Sequence, residues 1–209
     1  KNTLITFFIL ALLSTNSYSA GTSSESNSTD YSKAVKLVKS AKSSGANCIK
    51  FQTFRAEDIV TSSSPKADYQ LKVTEKEESQ LEMLKKLELD KDSFIQIKKF
   101  CEKNSIDFLS TPYNFEDVDF LCSLNVDSLK IASGQITELP FIEFVAKKNL
   151  KTFISTGMAY LSDIMKVVEI FKKVGNQNLI ILQCTTNYPS RIEDANINVI
   201  KTLKNIKGI

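Results

Sequence analysis

The 209 residues are 42% hydrophobic and 24% charged, a balance that suits one globular domain with a real core and excludes gross disorder. A net charge of +3, with lysines dispersed among acids, argues against a nucleic-acid surface and for small-molecule chemistry. No histidine occurs, which removes imidazole bases, Ser-His and Cys-His nucleophile pairs and His-containing metal sites from these residues.

"KNTLITFFILALLSTNSYSA" (residues 1–20) has a basic start, an apolar run from Leu4 to Leu13 and small residues around Ala20. It reads either as a secretory signal peptide or as an unrelated sequence joined to a cytosolic body. Residues 21–30 form a Ser-rich, low-complexity join. From Tyr31 the pattern changes: "YSKAVKLVKSAKSSG" sets Ala34, Val35, Leu37, Val38 and Ala41 on one face and stops at Gly45, predicting an amphipathic helix. A strand is expected at about Asn47 to Thr53. The turn-rich stretch Arg55 to Gln70 is too long for a passive connection and is a candidate active-site loop. Helices are expected around Glu75–Leu87, Lys91–Asn104, Phe115–Leu124, Leu139–Lys147, Leu161–Val174 and Ala195–Asn205, with strands at "IDFLSTP", "DSLKIASG", "KTFISTG" and "NLIILQCTTNYP".

Five strands separated by helices imply right-handed crossovers and a parallel sheet. The strands share an ending: "KFQTF", "FLSTP", "KIASG", "FISTG" and "QCTTNYP" all finish in small hydroxyl or polar groups. An open sheet concentrates its site at one switch point, whereas a barrel builds its site from many strand ends, so a TIM (β/α)8 barrel is the expected fold. Residues 31–209 are its span. Cys48, Cys101, Cys122 and Cys184 are scattered without a CxxC pair and read as small buried hydrophobes in a reducing compartment.

Lys50 and Lys130 each interrupt a strand-like apolar run, where an ammonium is costly unless it snorkels or meets an anion. Alternation puts Cys48, Lys50 and Gln52 on one face and pairs Lys130 with Ser128. With the hydroxyls of Thr111, Ser133 and Ser155, and with Gly134 and Gly157 freeing backbone N–H groups, the two lysines suit a cradle for phosphate and carboxylate. The bland alternative is two edge lysines whose stems cover apolar surface. "STGM" (Ser155 to Met158) is either an anion-binding helix start or an ordinary capped turn. "EDVD" (Glu116 to Asp119) reads as a solvated first helical turn rather than a metal site. Tyr188 leaves an amphipathic ring at a strand end.

At these residues the sequence resembles the sialic acid synthase family, that is, the N-acetylneuraminate, legionaminate and pseudaminate synthases. The segments that carry the resemblance are "GANCIKFQTFRAEDIV", "PKADYQ", "SQLEMLKKLEL", "FLSTPYNFEDVDFL", "KIASGQITELP", "STGM" and "QCTTNYP", in family order. The resemblance implies part of a TIM barrel, strands two to six, with the first and the last two strands missing. It implies condensation of phosphoenolpyruvate with an N-acetylated amino sugar such as N-acetylmannosamine or a diacetamido relative, releasing phosphate, in the service of carbohydrate biosynthesis. A divalent metal, manganese or magnesium, would polarise the sugar aldehyde. By the same resemblance Lys50, Lys130, Ser133 and Ser155 hold phosphoenolpyruvate, Thr186 and Tyr188 touch the sugar, Gln52 is a further substrate-binding position, and Lys50, Lys130 and Gln135 are the catalytic positions. The family is homodimeric and cytoplasmic, and a partial copy of it is expected to associate.

The chain also departs from the family pattern. Where a strand bearing a catalytic glutamate is expected, it reads "TSSESNST". A glutamate usual after "KIASG" is Gln135, which can hydrogen-bond but cannot act as acid or base. The two metal-binding histidines of the later strands have no counterpart, so no metal ligand is assigned and an incomplete, inactive copy is the expectation. Two alternatives stand beside it: a Schiff-base aldolase using Lys130, and an exported, non-catalytic sugar-binding protein.

Overall fold

The computed structural model describes residues 8–10, 23–71, 77–187 and 189–206. Its strands are β1 (Phe8–Leu10), β2 (Cys48–Thr53), β3 (Asp107–Pro112), β4 (Ser128–Ile131), β5 (Lys151–Ser155) and β6 (Leu179–Leu182). The helices are α1 (Ser23–Ser43), α2 (Ala56–Ile59), α3 (Asp68–Leu71), α4 (Gln80–Lys85), α5 (Lys91–Lys103), α6 (Phe115–Ser123), α7 (Leu139–Lys147), α8 (Leu161–Val174) and α9 (Val199–Leu203). Two compact units divide the chain between Ser110 and Thr111, within β3.

In the first unit the strands run in the order β1, β2, β3. Burial in β2 alternates strictly, with Ile49, Phe51 and Thr53 buried and Cys48, Lys50 and Gln52 more open, as a two-residue period requires. The buried face meets Phe108 of β3, which stacks on Phe51 at 5.7 Å and meets Phe94 of α5 edge-on at 6.5 Å. Val38 and Ala41 of α1 and Ile97 and Cys101 of α5 are wholly buried in the same core. Thr53 and Ser110, both buried, satisfy each other through a 2.7 Å hydroxyl pair.

In the second unit the order is β4, β5, β6, with parallel register Lys130 to Phe153 and Ser155 to Leu182. Leu129, Ile131, Thr152 and Ile154 form the fully buried face, against which Ile142, Val145, Val167 and Val168 of α7 and α8 complete the core. Helix ends and strand starts follow one recipe. After α5, α6, α7 and α8 the chain passes through a left-handed residue, Ser105, Asn125, Asn149 and Gly175, and turns into the next strand. In two of these turns, and in the turn after α1, an amide reaches back to close the helix: Ala46 to Ala41, Ile106 to Cys101 and Asn176 to Phe171.

Helix α1 begins at Ser23, so residues 23–30 of the Ser-rich join are helical. The three residues Phe8–Leu10 of the signal-like run form a strand parallel to Cys48–Lys50. The Arg55–Gln70 stretch contains the one-turn helices α2 and α3, and it is pinned by Glu78, which binds Lys66 at 3.1 Å and Lys86 at 2.5 Å. The last helix is only Val199–Leu203, preceded by a 3₁₀ turn at Ile192–Asp194. The remainder of the signal-like segment lies outside the described residues.

Candidate active site

Among the described residues, Ser133, Gln135, Ser155 and Thr186 fall at or beyond the C-terminal end of a strand, and Lys50, Gln52 and Lys130 lie within one. In the first unit Lys50 and Gln52 share the open face of β2. Lys50 is half-buried, and burial lowers its ammonium to about 8, a shift that the neighbouring Cys48 partly opposes. Burial, with some help from Asp107, raises the Cys48 thiol to about 11, so it stays protonated and is no nucleophile at neutral pH.

The second unit holds the denser cluster. Lys130 is only 7% exposed; its Nζ donates to the carbonyl of Ile131 at 2.5 Å. Parallel register places Lys130, Phe153 and Ser155 on one face, opposite Leu129, Ile131 and Ile154. The chain leaves β4 through Ala132 into a 3₁₀ turn, Ser133–Gln135. Ser133 then comes against Gly157, beyond β5, and Gly157 also approaches Thr186, beyond β6: a Cβ at Gly157 would stand 2.5 Å from Ser133 Cβ and 3.1 Å from Thr186 Cγ2. Ser155 Oγ and Cys184 Sγ are 3.3 Å apart. Three successive strand ends thus deliver Ser133, Ser155 and Thr186 to one neighbourhood.

Gln135 is 5% exposed. Its Nε2 donates to the carbonyl of Tyr113 at 3.1 Å, whereas Oε1 is buried without a hydrogen-bond partner among the described residues. Such an acceptor carries an unrecovered desolvation cost, and in native proteins this marks a place for a donor.

Sequence reasoning missed Thr156. It is 2% exposed, and its backbone N–H and its hydroxyl each donate to the Leu182 carbonyl at 3.1 Å while the hydroxyl accepts from the Cys184 amide at 3.3 Å. It therefore clasps the end of β5 to the segment that carries Thr186. The signal was present in the alternation Thr152, Ile154, Thr156, all buried.

Of the two readings of "STGM", the turn fits: α8 begins at Leu161, as expected, where the Asp163 carboxylate accepts from the Tyr160 amide at 3.1 Å. Ser155 ends a strand. Glu116 and Asp117 do occupy the first turn of α6, capped by Asn114, but the turn is not solvated throughout: Asp117 is buried and its carboxylate accepts from the Tyr113 amide at 3.2 Å. The four cysteines are free, and of these only Cys101 is fully buried. Tyr188 lies outside the described residues. Among the described residues no three His, Cys, Asp or Glu side chains gather as a metal site would require. The donor set therefore does not fit a divalent cation, and no step through one is assigned to these residues.

Comparison with known proteins accounts for this arrangement. A NeuB family model matches residues 37–209. The N,N'-diacetyllegionaminic acid synthase of Campylobacter jejuni is 42% identical over 84% of this chain and 53% of its own length. The human N-acetylneuraminate-9-phosphate synthase is 32% identical over 82% of this chain and 47% of its own length. The chain thus spans about half the length of the curated relatives it matches. Among solved structures, the N-acetylneuraminic acid synthetase of Leptospira borgpetersenii, in complex with citrate, superposes with a TM-score of 0.74 at 29% identity, over 86% of this chain and 58% of that one. The α/β repeats are accordingly part of a TIM-barrel-type fold, and this chain belongs to the NeuB family, whose named members here are sialic and legionaminic acid synthases.

Proposed function

We propose that these residues form the anion-holding part of a nonulosonic acid synthase, a transferase that condenses phosphoenolpyruvate with an N-acetylated amino sugar and releases phosphate. The observation that carries the reading is the convergence of Ser133, Gly157 and Thr186 beyond three adjacent strands, with the buried Lys130 on the same sheet as Ser155. An ammonium in a poorly hydrated site next to hydroxyls and backbone N–H groups favours a phosphate or carboxylate strongly. In this reading Lys130 neutralises the substrate, Ser133 and Ser155 donate to its oxygens, and Thr186 faces the sugar. Gln135 Oε1 accepts from a substrate hydroxyl.

The reaction needs a proton-transferring group as the new carbon–carbon bond forms and water replaces phosphate. Gln135 cannot supply one, so we infer that this position binds substrate rather than transferring a proton. The named relatives act toward different sugars, and the amino sugar of this chain is left at the class of N-acetylated sugars. A cytoplasmic setting is supported by the four free thiols; among the described residues no helix is long and apolar enough to cross a membrane.

Calorimetric titration with phosphoenolpyruvate tests the reading. The wild-type chain is expected to bind, and Lys130→Ala to bind at least about tenfold more weakly, since losing a charge-assisted contact removes about 1.5–3 kcal/mol. Equal binding by both, or none by a folded wild-type chain, overturns the proposal.

A further inference from the structure

We propose that Gly157 is a positioning residue that sets where the Ser133 hydroxyl stands; the inference rests on the reading of Ser133 as an anion ligand. Two demands fall on this position. Its φ of +50° is one that side chains seldom adopt. Independently, a Cβ would lie 2.5 Å from Ser133 Cβ and 2.6 Å from Ser133 Oγ, against the ~3.5–4.0 Å at which carbon atoms make a favourable contact. Rotating Ser133 relieves only the second clash, because Cβ does not move with χ1. The backbone at residue 133 would have to retreat by about an ångström.

That retreat has consequences at the site. Ser133 opens the 3₁₀ turn that ends in Gln135, and Gln135 is tethered to the Tyr113 carbonyl. Moving Ser133 therefore displaces the hydroxyl and strains the tether that aims the Gln135 amide. Thr186 Cγ2, at 3.1 Å, would also have to give by a few tenths of an ångström. The absence of a side chain at 157 thus lets three strand ends approach closely enough to present Ser133 and Thr186 together.

Gly175 provides the internal control: it too has a left-handed backbone, φ +82°, but a Cβ there would meet nothing within 4 Å. Gly175→Ala measures the backbone cost alone. The test combines thermal unfolding with phosphoenolpyruvate titration for wild type, Gly157→Ala, Gly175→Ala, Ser133→Ala and the double variant Ser133→Gly/Gly157→Ala. Gly157→Ala is expected to lower Tm more than Gly175→Ala and to weaken binding as much as Ser133→Ala does, about tenfold. The double variant, which has room for the new methyl, is expected to recover the excess Tm loss but not the affinity. Gly157→Ala with wild-type affinity, or a double variant no more stable than Gly157→Ala, overturns the proposal. A folded wild-type chain that binds no phosphoenolpyruvate overturns instead the anion reading on which it rests.

Discussion

At the scale of single residues, Lys50 and Lys130 illustrate how function and stability oppose each other. Burial lowers the Lys50 ammonium to about 8, below the ~10.4 of an unfolded chain. The folded state therefore binds fewer protons than the unfolded state between about pH 8 and 10.4, and stability rises with pH across that window. Below it, the buried charge is a standing cost. Lys50→Met is expected to raise stability at pH 7, with the gain fading as pH approaches 10. Urea unfolding of both proteins at pH 7 and pH 10 checks this; a variant less stable than wild type at pH 7 would show that Lys50 has a stabilising partner. A residue that costs stability and yet interrupts an apolar strand is best explained by a ligand.

At the scale of elements, the repeats are joined by polar side chains at their turns. Asn176, 4% exposed, donates through Nδ2 to Ala146 O at 3.1 Å and Leu150 O at 3.3 Å, and accepts from the Asn178 amide at 2.9 Å. One amide thus ties the turn after α8 to the turn after α7. Asn176→Ala removes these three bonds and takes the acceptor from the Asn178 amide, while Ala146 O and Leu150 O keep the Asn149 amide and the Thr152 hydroxyl; it is expected to destabilise by about 1–2 kcal/mol, measurable as a fall in the urea midpoint. Asn176→Asp, which keeps the size and the acceptor but loses the donor, should fall at least as far because it sets a carboxylate against two carbonyls. A loss below about 0.5 kcal/mol in both, the level of an ordinary surface change, would contradict the role.

At the scale of the whole molecule, most of the large apolar side chains exposed among the described residues belong to the second unit. Ile192 is 93% exposed, Ile197 69% and Ile200 43%, and Met158 and Tyr160 are each 79% exposed. Large exposed apolar groups favour association where they adjoin. Concentration-dependent association is expected, and Ile192→Lys with Ile197→Lys should reduce it. Sedimentation velocity over a hundredfold concentration range is the check; a single monomeric species throughout in the unsubstituted chain would refute the expectation.

Much of this was legible because it is local. The helix faces around Val38 and Val167, the alternation of β2, the placing of Lys130 beside Ser128 rather than Leu129 and the acidic first turn of α6 all follow from periods of 3.6 or 2 and from capping chemistry. These depend on residues a few positions apart, so the sequence alone determined them, and with them the α/β repeats. The family motifs carried the candidate list for the same reason: each is a short strand end with its turn.

What the tertiary structure decided is everything that joins residues far apart in the chain. Nothing local distinguishes Ser133, Gly157 and Thr186 as neighbours, or reveals that Gln135 spends its donor on Tyr113 and buries its acceptor unpaired. Nor does local pattern indicate that an apolar triplet at Phe8–Leu10 pairs with β2, because an apolar run suits a sheet edge, a core or a membrane equally. Local propensity selects elements; only packing, which brings backbones to within a missing Cβ of each other, selects the partners that make a site.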